Sequence, residues 1–279
     1  MRVAVTGASG FLGRHVLHAL SHRDVDVVAC SRRPPTGADS ARRRWVALDV
    51  ADFGNRPMQT IGAPELLIHL AWDGLPNYRD RRHLDRELPD QIAFLDACLG
   101  AGLPRLAVSG TCLEYGLAEG QLHESLPARP VTCYAQAKHL LHQHLLARHK
   151  NRPFGLAWFR LFYLHGPGQA EGSLLPQLER AIRAGATHFD MSPGDQTRDF
   201  TPVAFAADAL VRIALAHTDP GVVNLCSGRG TRVIDLVRGH LHAFGSTIEP
   251  KLGVHDYPDY EPRHAWGDRR RMDALLEGT

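Results

Sequence analysis

The first thirteen residues limit the fold more than any other stretch. Val3, Ala4 and Val5 read as a short buried strand. Residues 11–20 read as an amphipathic helix, with Leu12, Val16, Leu17 and Leu20 on one face. Between strand and helix stand Gly7, Gly10 and Gly13, spaced G-x-x-G-x-x-G. Gly7 allows the positive φ of a tight strand-to-helix turn. Gly10 leaves the backbone N–H groups at the helix start open to a pyrophosphate. Gly13 lets the helix lie close on the strand. Three glycines alone suit any flexible loop; at a strand-to-helix junction they indicate nucleotide binding.

Further strands are expected at 26–30, 45–48, 66–71, 106–108, 156–161 and 222–225. Helices are expected at 83–101, 134–150, 174–184, 205–216 and 232–243. Alternation of this kind implies right-handed βαβ units and an α/β, Rossmann-like, doubly wound parallel sheet. The 279 residues suit one large domain with a smaller C-terminal region. Residues 1–162 are assigned to a dinucleotide-binding domain. Residues 163–279 are assigned mainly to substrate binding, with about 200–226 returning to the first domain.

A net charge of +2 gives no reason to expect nucleic acid or a membrane surface as partner. No run approaches the roughly 18 apolar residues of a membrane span, and a strand starting at residue 2 leaves no room for a signal peptide. Cys30, Cys98, Cys112, Cys133 and Cys226 form no C-x-x-C pair and are read as reduced thiols of a cytoplasmic protein. The 17 histidines show no metal-ligand spacing, so no metal is expected; His139, His142 and His144 are placed on exposed helix faces.

Two clusters carry chemistry. Ser31-Arg32-Arg33 follows the second strand, where an NAD-binding unit carries an acid for the ribose 2′-OH. Guanidinium groups there match a 2′-phosphate and a carboxylate would repel it, so NADP(H) is expected. The alternative is a pair of solvated loop charges. Tyr134 and Lys138, four apart, share a helix face. An ammonium about 4 Å from a phenol favours phenolate by roughly 4 kcal/mol at an effective dielectric of 20, enough to bring a group titrating near pH 10 close to pH 7. Thr111 ends a strand where α/β sheets place their ligands. Trp72, at the root of loop 72–79, is either packing or a pocket wall.

The motifs then combine: Thr6 to Gly13, Asp49-Val50, His69-Leu70-Ala71 followed by Trp72, Thr111 four before Tyr115-Gly116, Tyr134 with Lys138, Arg160 to Gly168, Arg198-Asp199-Phe200 and Asn224 to Gly228. Over nearly its whole length the chain resembles the extended short-chain dehydrogenase/reductases of the nucleotide-sugar epimerase/dehydratase type. The resemblance implies that Thr111, Tyr134 and Lys138 are catalytic. It implies cofactor contacts from Gly7, Gly10, Phe11, Leu12, Gly13, Ser31, Arg32, Arg33, Asp49, Val50, Leu70, Ala71, Trp72, Ser109, Tyr134, Lys138 and Leu164, with Asp49-Val50 at the adenine. It implies substrate contacts from Trp72, Thr111, Cys112, Leu113, Tyr134 and Arg198, the last on a nucleotide diphosphate. Family dehydratases carry Asp-Glu after the threonine; Cys112-Leu113 stand here instead, so water elimination is not expected. The implied activity is NADPH-dependent reduction of a nucleotide-activated 4-keto-6-deoxy sugar, carried on dTDP, GDP or CDP, in bacterial surface-polysaccharide (O-antigen) or deoxysugar biosynthesis. The alternatives are an epimerase that retains its NAD and a non-catalytic NADP-sensing protein, the latter disfavoured because Tyr134 and Lys138 are both kept. A homodimer is expected through helices 83–101 and 134–150, the second carrying surplus Leu140, Leu141, Leu145 and Leu146.

Overall fold

A computed structural model describes all 279 residues. Seven parallel strands form the central sheet: β1 (Arg2–Thr6), β2 (Asp26–Ser31), β3 (Arg43–Ala47), β4 (Leu66–His69), β5 (Arg105–Thr111), β6 (Gly155–Leu161) and β7 (Gly221–Leu225). Their spatial order is β7-β6-β5-β4-β1-β2-β3. The strand order therefore reverses between β1 and β4, the switch point at which open α/β sheets bind ligands. Residues 3–6 and all of β4 are buried, as a sheet covered on both faces requires.

Alternation along β1 sends Val3 and Val5 to one face and Ala4 to the other. The first face packs against α1 (Phe11–Ser21) through Leu17 and Leu20 and against α6 (Val203–Ala216) through Leu210 and Ile213. The opposite face packs Leu67, Leu106 and Trp158 on Phe94 and Leu95 of α3 (Leu88–Gly100) and on Leu141 and Leu145 of α4 (Cys133–Asn151). Each fully buried leucine contributes about 1.5–3 kcal/mol. A one-turn α2 spans Pro57–Thr60. Beyond β6, α5 (Leu174–Arg183) and α7 (Val233–Ala243) enclose a small core of their own around Leu178, Met191, Ile234 and Val237.

Several expectations are corrected. The helix expected at 83–101 begins as one π-helical turn, His83–Glu87, and becomes α3 at Leu88. Pro89, which has no N–H to donate, sits in the first turn of α3. The buried stripe of α3 is Phe94, Leu95, Cys98 and Leu99, while Leu84, Leu88 and Ile92 are only half-buried. His142 does not face solvent. It lies four residues past Lys138, on the face that looks at the sheet, and stacks on Trp158 with centroids 4.6 Å apart. His139 and His144 are half-buried, and His144 binds Asp96 at 2.9 Å. The tail after residue 253 also holds unexpected order. Helix α8 (Arg270–Glu277) returns to the first core through Met272, Leu275 and Leu276, so residues beyond 200–226 rejoin the sheet. All five cysteines are free. No helix is long and apolar enough to cross a membrane, and no group of three His, Cys, Asp or Glu side chains is placed to hold a metal ion.

Candidate functional site

The β1–α1 turn builds the floor of a groove along the switch point. Gly7 has φ +67°, and a Cβ there would lie 2.8 Å from the Ala71 nitrogen. A Cβ on Gly13 would lie 2.2 Å from the Gly7 carbonyl oxygen. Both positions thus require glycine, one for backbone conformation and one for space. The first intrahelical bond of α1 runs from Arg14 N–H to Gly10 O, and no side chain caps the helix. The N–H groups of Phe11, Leu12 and Gly13 are therefore left for an anion. Gly7, Gly10, Ser31, Arg32, Asp49, Val50, Leu70, Ala71 and Trp72 all line the groove, as do Asp73, Arg82, Arg86, Glu87, Asp90 and Gln91 from the opposite wall. Arg33 joins Ser9, Arg32 and Asp49 around a hollow at its mouth. Ser109 and Leu164 lie outside it. The buried Ser31 Oγ has no partner. An orphaned hydroxyl, a glycine cradle and an uncapped helix start all fit a dinucleotide.

Charges at the mouth are shared. Arg32 meets Asp73 at 3.2 Å, and Asp73 also meets Arg82 at 3.2 Å. The Gly74 N–H and these two guanidiniums hold the Asp73 carboxyl below the usual carboxylate range. Beneath the groove, the Thr6 hydroxyl accepts the Leu70 N–H at 3.2 Å and gives its own proton to His69 Nδ1 at 2.9 Å. Burial, with the Lys138 charge nearby, pushes His69 down to about 3, so the ring is neutral.

Past Trp72 lie the three residues expected to be catalytic, each at most 8% exposed. Thr111 ends β5 and caps a 3₁₀ turn, Cys112–Tyr115: its hydroxyl accepts the Leu113 N–H, and Glu114 accepts the Thr111 N–H, a capping box. Thr132 caps α4 by accepting the Ala135 N–H at 3.2 Å, which sets Tyr134 and Lys138 in the first turns. Lys138 Nζ donates to Ser109 O at 2.8 Å and lies 4.1 Å from the Trp72 ring centre, but 6.0 Å from that of Tyr134. The expected lowering of the phenol by that ammonium is not what governs Tyr134. Burial dominates instead, with Tyr78, Glu114 and Cys112 adding to it, and pushes the Tyr134 phenol up; contact with Thr111 opposes this. Burial pushes Lys138 down to about 7, against the pull of Glu114 and Glu87. Trp72 serves as packing and as a wall. Its indole N–H donates to His83 Nδ1 at 3.1 Å, and its edge meets Tyr134 at 5.8 Å. An indole only donates, so His83 carries its proton on Nε2, which bonds Asn77 O at 2.9 Å.

On the far side, Arg198 is 3% exposed. Its Nε and Nη2 donate to Glu261 at 3.2 and 3.0 Å, and its Nη1 donates to the Thr197 and Arg263 carbonyls. Asp199 beside it accepts the Ser227, Gly228 and Gly267 N–H groups. Glu261 belongs to a strap of tail that folds over loop 72–79: Asp259 pairs with Arg79, and Tyr260 lies under Arg79 and against Tyr78. Cys112, expected at the substrate, is half-buried here, and desolvation of its sulfur with Glu261 nearby pushes the thiol up. Leu113 is buried next to Tyr134.

A family profile described as "NAD dependent epimerase/dehydratase family" matches residues 3–226, the sheet and the site together. The chain belongs to that family. Among relatives of this epimerase/dehydratase chain, dTDP-6-deoxy-L-talose 4-dehydrogenase (NAD(+)) of Aggregatibacter actinomycetemcomitans is 25% identical over 272 residues, covering 96% of this chain and 99% of its own. The dTDP-6-deoxy-L-talose 4-dehydrogenase (NAD(P)(+)) of Kitasatospora kifunensis is 29% identical over 247 residues, covering 85% and 77%. Among solved structures, MoeE5 in complex with UDP-glucuronic acid and NAD superposes with a TM-score of 0.82 at 25% identity, covering 100% of this chain and 93% of that one. The UDP-N-acetylglucosamine 4-epimerase from Methanobrevibacter ruminantium M1 shares the fold, with a TM-score of 0.86 at 22% identity over 98% and 91% of the two chains.

For this epimerase/dehydratase chain, sequence reasoning passed over Glu114, Glu87, Tyr78 and Glu261. Glu114 had a signal, the Thr-x-x-Glu spacing of a capping box from Thr111. Glu261 had none, because only the folded tail brings it to Arg198.

Proposed function

We propose that this chain is an NAD(P)-dependent oxidoreductase acting at C4 of a nucleotide-activated 6-deoxy sugar, working as an NADPH-dependent reductase of the 4-keto form. The observation that supports the reading is that Lys138 and Tyr134 lie against Trp72, itself a wall of a glycine-floored groove whose β2 end bears Ser31, Arg32 and Arg33 and no acid. The 4-dehydrogenase names of two relatives support the carbon and the sugar class. Bound NAD(P) supplies or accepts the hydride. Tyr134 gives a proton to the developing alkoxide. The Thr111 oxygen already accepts the Leu113 N–H, so its own hydrogen is free to donate to the same alkoxide as charge builds. Lys138 holds the nicotinamide ribose. Asp49 and Val50 hold the adenine, the Phe11 and Leu12 N–H groups the pyrophosphate, and Arg32 and Arg33 a 2′-phosphate, Arg32 leaving Asp73 to do so. Arg198 meets the substrate diphosphate in exchange for Glu261. Trp72, Cys112 and Leu113 wall the sugar, and the Cys112 thiol, its acidity lowered by desolvation, supplies no acid for water elimination.

The second reading, an epimerase that retains NAD, is favoured by Asp73, a carboxylate at the mouth of the groove beside Arg32. Two measurements separate them. Purified protein is assayed for bound cofactor, and dTDP-, GDP- and CDP-linked 4-keto-6-deoxy sugars are screened with NADPH and NADH. The expected result is little bound cofactor and faster oxidation of NADPH. Stoichiometric bound NAD overturns the reductase in favour of the epimerase, and no turnover of any sugar nucleotide in either direction overturns both.

A further inference from the structure

The Glu114 side chain has no exposed surface, and nothing in the reaction above uses it. Its carboxylate accepts the Thr111 N–H at 2.9 Å, the Trp158 Nε1–H at 3.0 Å and the Arg160 Nε–H at 3.0 Å. Arg160, itself buried, lies over the Tyr115 ring at 4.4 Å, and its Nη1 finds no partner. Gly110 is the gap that admits this cluster: a Cβ there would lie 2.3 Å from Trp158 Nε1 and 2.6 Å from Glu114 Oε1. Desolvation of two buried ions largely offsets their attraction, so such a pair is a weak source of stability. What it does supply is geometry. The Arg160 guanidinium holds Oε2, while Oε1 takes both the Trp158 indole and the Thr111 backbone N–H, so two side chains on β6 hold the group that fixes Thr111.

We propose that Glu114 is the positioning residue of Thr111, a buried carboxylate that ties the end of β5 to β6 and so aims the threonine hydroxyl at the reacting oxygen. The proposal rests on the reading of Thr111 given above. Glu114 also acts across the site, as the stronger of two carboxylates that favour the charged form of Lys138. The other charged or titratable groups facing Lys138 are Glu87 from the π turn, His69 from β4 and Tyr134 from α4 itself.

Glu114→Gln keeps the shape and one acceptor and removes the charge. In the holoenzyme kcat is expected to fall about 10²-fold, the scale of a small misplacement of a reacting group, with KM for the sugar nucleotide and Kd for NADPH within about threefold of wild type. Because the effect runs through Thr111, Glu114→Gln is expected to add less than about threefold to the loss already caused by Thr111→Val. Lys138 lies against the Trp72 indole, so its titration is read as Trp72 fluorescence after subtraction of a Trp72→Phe control. Burial holds that midpoint below the ordinary lysine value in the wild type, and loss of the Glu114 charge is expected to move it further down. If Glu114→Gln does not fold, Glu114→Gln/Arg160→Met, which removes both charges, takes its place with the same expectations. A kcat within threefold of wild type, losses that multiply in the double variant, or an unmoved midpoint overturns the positioning role alone. A wild type that turns over no sugar nucleotide overturns the reading of Thr111 and this proposal with it.

Discussion

In the proposed reaction Tyr134 carries the proton, and its phenol differs from phenylalanine by a single oxygen. Tyr134→Phe is therefore expected to lower turnover by at least about 10³-fold while NADPH Kd, measured by fluorescence titration, stays within about twofold. Arg32 and Arg33 face the mouth of the groove. Replacing both by Ala removes charge-assisted bonds of about 1.5–3 kcal/mol each. NADPH is expected to weaken by about 10²–10⁴-fold and NADH hardly at all; equal loss for both cofactors would show that these arginines do not read the 2′-phosphate. Two histidines set the acid limit of the fold. Burial pushes both His69 and His142 down to about 3 from an ordinary 6.5. Between those values the unfolded chain binds protons that the folded chain refuses, so stability rises with pH in that window and is lost on acidification. Each ring contributes up to about 1.4 kcal/mol per pH unit. His142→Phe keeps the stack on Trp158 and removes one titrating ring, and is expected to lessen the acid slope of thermal unfolding between about pH 6 and 4.

At the level of elements, the 3₁₀ turn after β5 stands or falls with Gly110. Gly110→Ala would drive a methyl into Trp158 and Glu114 and is expected to destabilise the fold by about 1–3 kcal/mol in chemical denaturation. A melting point unchanged from wild type would mean that the turn adapts freely. The strand–glycine–helix junction was legible because Gly7, Gly10 and Gly13 act locally, each answering to a backbone or close-approach demand within a few residues. Tyr134 and Lys138 were legible as neighbours because helical periodicity places i and i+4 together. Their electrostatics were not, because the environment of a phenol depends on Trp72, Tyr78 and Glu114, which reach it from other elements. The π turn before α3 escaped notice because apolar spacing over 83–101 is compatible with one continuous helix. The tail was opaque for a different reason: Tyr260 and Glu261 bind residues far away in the chain, and α8 has only Met272, Leu275 and Leu276 to mark an apolar face.

Across the whole molecule, α3 and α4 pack together through Asp96, which takes both His144 and Arg148. Leu141 and Leu145 are spent on the core, while Leu140 and Leu146 remain 48% and 41% exposed. Two such helices pairing with their symmetry mates form a four-helix interface. A dimer at micromolar concentration is the expected result of sedimentation, and Leu140→Glu/Leu146→Glu is expected to convert it to monomer. A wild-type monomer, or a dimer indifferent to those charges, would reject this interface.

Met272 sits in the same core as Val3 and Val5. A ribosome makes β1 long before α8, so the covering of that face of the sheet is completed only once α8 has emerged. The strap that brings Glu261 to Arg198 precedes α8 by only a few residues. During translation, therefore, the glycine turn that would hold a nucleotide is formed long before the sugar side of the site can close. The growing chain passes through a stage able to hold a dinucleotide with nothing yet in place to use it.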